Sequence, residues 1–93
     1  MSARYVSRSP DVAARQIGDE LMIMSGRDST LFSLNETAAA LWDAADGRTT
    51  VEGIAEMICE QFEVDPEEAL QDTEAMVKEL TGHGILVISE KPL

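Results

Sequence analysis

Hydrophobic positions follow two different rhythms along this chain, and the change comes at Leu34-Asn35. Before it, apolar residues fall in short runs separated by turn formers. Val12 to Ile17 is a short mixed run, and Gly18-Asp19-Glu20 interrupts it with a glycine suited to a tight hairpin. Leu21-Met22-Ile23-Met24 comes next with apolar residues on both faces, and Ser25-Gly26-Arg27-Asp28-Ser29 supplies the next turn. Thr30-Leu31-Phe32-Ser33-Leu34 then alternates, with Phe32 and Leu34 on one face and Leu31 and Ser33 on the other. Connections this short predict an antiparallel meander of three strands, because parallel pairing needs long crossovers.

After Leu34 the apolar spacing becomes helical. Asn35 is a good N-cap, with Ala38, Leu41, Trp42 and Ala45 at helical intervals before Asp46-Gly47, which reads as a left-handed stop. Thr49-Thr50-Val51-Glu52 matches a capping box with Thr49 as N-cap, and Val51, Ile54, Ala55, Ile58, Cys59 and Phe62 form the stripe behind it. Asp65-Pro66-Glu67-Glu68 opens a third helix with proline at its first position. Leu70, Thr73, Val77 and Leu80 form the predicted inner stripe of that helix, which Gly82 and Gly84 end. Ile85 to Ile88 can then form a short final strand.

The expected fold is α+β: a three-stranded antiparallel sheet followed by three helices, in a winged helix-turn-helix-like arrangement. The domain is expected to span 12–88, after a flexible N-terminal segment 1–11 that can also pair with a sheet edge or exchange between protomers. Residues 89–93 read as a tail.

Composition narrows the function. A chain of 93 residues fits one small domain, and its 44% hydrophobic content argues against disorder. It has no apolar run of membrane-spanning length and no secretory signal at Met1 to Pro10, so a cytoplasmic location is expected. The net charge of −11 is uneven, because residues 49–93 hold eleven acidic and two basic side chains. Such a surface repels nucleic-acid phosphates.

Catalytic constellations are missing from the pattern. Cys59 and His83 are the sole residues of their kinds, and no glycine-rich phosphate loop is present. Cys59 lies on an apolar helix face, His83 sits between glycines at a helix end, and Trp42 reads as a core anchor. No enzyme activity, metal or cofactor is expected.

The order of motifs is more telling. Leu34-Asn35-Glu36-Thr37-Ala38-Ala39, Leu41-Trp42, Asp46-Gly47, Thr49-Thr50-Val51-Glu52-Gly53-Ile54-Ala55, Asp72 and Leu80 together resemble the PqqD family, over roughly Val6 to Val87. The resemblance implies a non-catalytic domain that binds the leader segment of a ribosomally made precursor peptide. In that family the leader adds as a strand to the sheet edge, in a groove between the third strand and third helix. It is thereby presented to a modifying enzyme such as a radical S-adenosylmethionine enzyme, a cyclase or a leader peptidase. Members dedicated to pyrroloquinoline quinone synthesis tend to carry a Leu-Leu-x-Pro-Glu-like segment where this chain has Leu21-Met22-Ile23-Met24-Ser25. Another modified-peptide pathway is therefore an equal expectation.

The physics of strand addition picks the candidate residues. Backbone groups of an edge strand give sequence-tolerant binding, and side-chain pockets add specificity. The candidates are Thr30, Leu31, Phe32, Ser33 and Leu34 on the strand, with Ala69, Asp72, Thr73 and Met76 on the third helix. Ala69 and Met76 flank the predicted stripe, with Asp72 and Glu79 as an acidic rim. Which face of the strand looks inward is left open by the sequence. A free edge also suggests weak homodimerisation. The competing classes are a winged-helix regulator, a protein–protein adaptor and a carrier domain. For a carrier the nearest serine motif, Asp28-Ser29-Thr30, leads into a strand and has the wrong context.

Overall fold

The computed structural model describes residues 3–26 and 29–93. Met1 and Ser2 of the N-terminal segment, and Arg27 and Asp28 of the second turn, lie outside the described residues. In chain order the elements are β1 (Tyr5–Arg8), β2 (Ala13–Ile17), β3 (Glu20–Met24), β4 (Leu31–Leu34), α1 (Glu36–Ala44), β5 (Asp46–Thr50), α2 (Val51–Phe62), α3 (Pro66–Gly82) and β6 (Leu86–Ser89). The class is α+β, with three helices and two three-stranded antiparallel sheets, β2-β3-β4 and β5-β1-β6, among the described residues.

The meander forms as its turns require. Ile17 pairs with Glu20 across a two-residue loop, and Gly18, at φ +60°, holds the position that needs left-handed backbone. On β4, Phe32 and Leu34 face the core beside Leu21 and the fully buried Ile23, whereas Leu31 and Met24 on the opposite face are exposed. This settles the strand's orientation.

The second sheet has its origin in long-range pairing. Its central strand, β1, comes from the segment expected to be flexible. Val6 is fully buried and pairs with Thr49 on one side and Ile88 on the other. A four-residue strand with a single core side chain carries little local signal, and only its two neighbours make it a strand. β1 also reshapes the segment from α1 to α2. Gly47 does take left-handed backbone, at φ +81°, but Asp46-Gly47 begins β5, opposite the register shift between Val6 and Ser7, and does not close α1. The helix ends instead at Ala44, because Arg8 meets its last turn. The guanidinium donates to the Trp42 carbonyl at 3.3 Å and stands over the Trp42 ring at 5.9 Å, and the Arg8 amide donates to the Ala45 carbonyl. Pairing of β5 through Thr50 moves the next cap by one residue. Thr50, not Thr49, caps α2 by accepting from the Gly53 amide at 3.0 Å, and Thr49 donates to Asp46.

Asp65 caps α3 as expected, accepting from the Glu67 amide, with Pro66 at the first position. The inner stripe of α3 differs by one residue from the predicted set. Ala69, Thr73, Val77 and Leu80 are buried, and Leu70 is half-buried. Leu70 instead lies toward α2, beside Ala55, Glu56 and Cys59. The tail residue Leu93 donates its amide to the Gly47 carbonyl, and its side chain lies over Gly47, so the outer edge of β5 is covered.

Arg4 joins three elements by donating to Glu52 at 2.5 Å and Glu74 at 2.6 Å. The Arg4 hydrogen bond holds the Glu52 carboxyl below its usual value of 4.5. All three side chains are well exposed, so Arg4→Ala should cost no more than about 1 kcal/mol. Because the folded-state value of Glu52 is depressed, its part of this cost should be complete above pH 4.5 and vanish as the pH falls through that lower value. Urea melts of both proteins across pH 3–7 would check the convergence. Removing residues 1–9 deletes the centre of a sheet and should abolish cooperative unfolding. A sharp thermal transition in the truncated chain would contradict the role given to β1.

Candidate functional site

β4 is an edge strand, paired only with β3 among the described residues. Its alternation can be read from one hydrogen bond. The Ser25 amide donates to the Thr30 carbonyl at 2.9 Å, so Thr30, and by the antiparallel ladder Phe32 and Leu34, turn their backbone groups toward β3. Leu31 and Ser33 therefore present amide and carbonyl outward, where an extended peptide can take them.

Beside this edge lies a groove of about 180 Å³, walled by Phe32, Ser33 and Leu34 of β4, Asn35 and Ala38 at the start of α1, and Met76, Glu79 and Leu80 of α3. The α1 wall is fixed by the Asn35 cap, whose side chain accepts from the Ala38 amide at 2.9 Å. The α3 wall is fixed at its far end. Ser25 Oγ donates to the His83 carbonyl at 2.7 Å, and the His83 ring packs on Phe32 with centroids 4.7 Å apart. Two independent contacts thus set the width between strand and helix.

Of the nine residues singled out from the sequence, Phe32, Ser33, Leu34 and Met76 meet in this groove. Leu31 lies on the outer sheet face and joins only through its backbone, and exposed Thr30 precedes the strand. Asp72 is exposed on α3 and outside the groove lining. Ala69 and Thr73 are fully buried in the core, and the Thr73 hydroxyl has no hydrogen-bond partner among the described residues. Asn35, Ala38 and Leu80 were missing from the candidate set, and Glu79 appeared only as rim. Asn35 and Ala38 were absorbed by the helix-start reading and Leu80 by the inner stripe, yet each has a second side facing the groove.

Magnitudes show what the groove must supply. Two outward residues offer four backbone hydrogen bonds, each worth about 0.5–1.5 kcal/mol net. Association itself costs about 4–15 kcal/mol. Edge pairing alone falls short of that cost over most of its range, and an apolar side chain buried against Met76 and Leu80 would add about 1.5–3 kcal/mol.

Cys59 and His83 are separate. The Cys59 thiol meets the Val64 carbonyl at 3.1 Å on α2, and His83 closes α3. Among the described residues no group of three His, Cys, Asp or Glu could hold a metal ion, and no helix is long and apolar enough to cross a membrane.

With this geometry in place, the likenesses to known proteins can be compared with it. The family described as coenzyme PQQ synthesis protein D (PqqD) matches residues 20–86, from β3 to the first residue of β6. No curated protein matches the chain. Among solved structures, a lasso peptide synthetase B1 complexed with the leader peptide is similar at TM-score 0.74 and 24% identity, covering 89% of this chain and 98% of that one. TbiB1 in complex with the TbiA(beta) leader peptide is similar at TM-score 0.76 and 22% identity, covering 86% and 93%. At these identities the likeness is one of fold.

Hydrogen exchange tests the edge assignment directly. In the free protein the Leu31 and Ser33 amides should exchange much faster than those of Phe32 and Leu34, measured residue by residue by NMR. Equal protection along β4 would mean that its edge is already occupied.

Proposed function

This chain belongs to the PqqD family, and we propose that it is a non-catalytic leader-binding element that presents a ribosomally made precursor peptide to a modifying enzyme. One observation carries this reading: the outward backbone of Leu31 and Ser33 runs beside a groove whose floor is Phe32, Leu34, Met76 and Leu80. An extended leader adds to β4 as a fourth strand. Its side chains opposite Phe32 and Leu34 enter the groove, and a basic residue near the α3 rim meets Glu79. Two solved structures of the same fold are complexes with leader peptides, which supports an extended peptide as the ligand.

The partner that receives the peptide is a modifying enzyme of the radical S-adenosylmethionine, cyclase or leader-peptidase kind, and the setting is cytoplasmic. The pathway is pyrroloquinoline quinone synthesis or another peptide modification, and Leu21-Met22-Ile23-Met24-Ser25 departs from the segment usual in members dedicated to the former. α2 and α3, followed by β6, form a winged helix-turn-helix-like unit turned to peptide use. The exposed carboxylates of Glu67, Glu68, Asp72, Glu74 and Glu79 on α3 argue against phosphate contact.

Leader segments from short precursor peptides of the source organism, titrated into the isotopically labelled chain, test this reading. Saturable NMR shifts are expected at Leu31 to Leu34 and Met76 to Leu80. Ser33→Pro removes an outward donor without breaking the β3 ladder, and should weaken binding at least about tenfold while the domain stays folded. Undiminished affinity in that folded variant would exclude strand addition at β4.

A further inference from the structure

α3 has a second flank, and it too faces an open strand edge. On this side Glu74, Ala75, Val77, Lys78, Thr81 and Gly82 enclose, with Arg4, Val51 and Ile88, a cavity of about 670 Å³, several times the volume of the groove beside β4. β6 is the edge of its sheet, paired only with β1 among the described residues. The Ile85 carbonyl receives the Ser9 amide at 2.9 Å, which turns Ile85 and Val87 toward β1 and leaves the backbone groups of Leu86 and Ile88 facing outward. Leu86 is buried and Ile88 lines the cavity, so a strand added here sends alternate side chains into the same space.

The chemistry of the walls defines the occupant. Val51, Val77 and Ile88 make an apolar floor, and the buried Thr81 hydroxyl has no hydrogen-bond partner among the described residues. Lys78 stands on the rim as the only basic residue of α3. It makes no ion pair with a described residue, whereas its neighbour Arg4 is taken by Glu52 and Glu74. A free ammonium beside an apolar trough, in a chain of net charge −11, selects for a carboxylate. The same net charge acts against a second copy, since two such chains repel.

We propose that the β6–α3 groove is a second strand-addition site, which takes an extended segment of a different protein. That segment carries an apolar side chain for the cavity and a carboxylate for Lys78. The two grooves lie on opposite flanks of one helix, so both can be filled together. This site stands or falls independently of the leader reading.

The test uses the full chain, panned against a phage-displayed library of random peptides, with the consensus peptide then synthesised and titrated by NMR. The expected peptides pair apolar residues with Asp or Glu and shift Leu86, Ile88, Lys78 and Thr81, leaving Leu31 and Ser33 unmoved. Lys78→Glu, an exposed substitution, should weaken them at least about tenfold, and exchanging the peptide's acid for lysine should restore binding. Ser33→Pro should leave them unaffected. The proposal is overturned if no peptide class is enriched, if every enriched peptide maps to β4, or if affinity ignores Lys78→Glu. It is equally overturned if the β6 resonances move with protein concentration alone, because the occupant would then be a second copy.

Discussion

The seating of α3 is the constraint on which the other features depend. Ala69, Thr73, Val77 and Leu80 are its buried stripe, and only with this stripe inside do Met76 and Glu79 stand beside β4 while Ala75 and Lys78 stand beside β6. A small rotation of the helix would bury one flank and lift the other away from its strand. Contacts along the helix oppose such rotation. Arg4 reaches Glu74 near the middle, and Ser25 and Phe32 hold His83 at the C-terminus. Thr73 is a local weakness, because its buried hydroxyl lacks a partner among the described residues and so costs roughly 1–3 kcal/mol of desolvation. The helix keeps its position despite that residue.

Edge strands explain why this position bears on function. An open edge invites unwanted pairing, and proteins usually cover it or place charge on it. This chain covers the outer edge of β5 with its own Leu93. β2 carries Arg15 and Gln16 and is exposed along its whole length. β4 and β6, in contrast, are left open next to apolar grooves, with Leu31 and Ile88 among the exposed hydrophobic residues. The net charge of −11 opposes the close approach of two copies of the chain.

Legibility in the sequence tracks the range of the interactions involved. The β2–β4 meander, the Asn35 and Asp65 caps and the α2 stripe depend on residues a few positions apart, and they were legible. β1 and β5 were not, because their partners lie some forty to eighty residues away and each strand has at most one core side chain. The displaced cap at Thr50 and the early end of α1 are consequences of that missing strand. The choice between Ala69 and Leu70 was lost for another reason: the two are adjacent on the helix, and hydrophobicity alone favours the leucine, which is only half-buried beside α2. The strand half of the site was legible as backbone chemistry. The helix half was only partly so, since Asn35, Ala38 and Leu80 serve structure and groove at once and a single sequence shows the first role more clearly.

The division of labour within the β4 groove also limits what shared fold can say about specificity. Backbone pairing at Leu31 and Ser33 accepts any extended chain, so it is common to all domains with this edge open. Discrimination must come from the few side chains that meet the peptide. In the proposed binding mode these would be the flexible thioether of Met76, the carboxylate of Glu79 and the aromatic face of Phe32 held by His83. At 22–24% identity the solved structures share the fold with this chain. On the proposed reading, a leader suited to this chain would combine an apolar residue for Met76 with a base for Glu79, two or three positions on a strand, and the pathway would follow from which peptide supplies them.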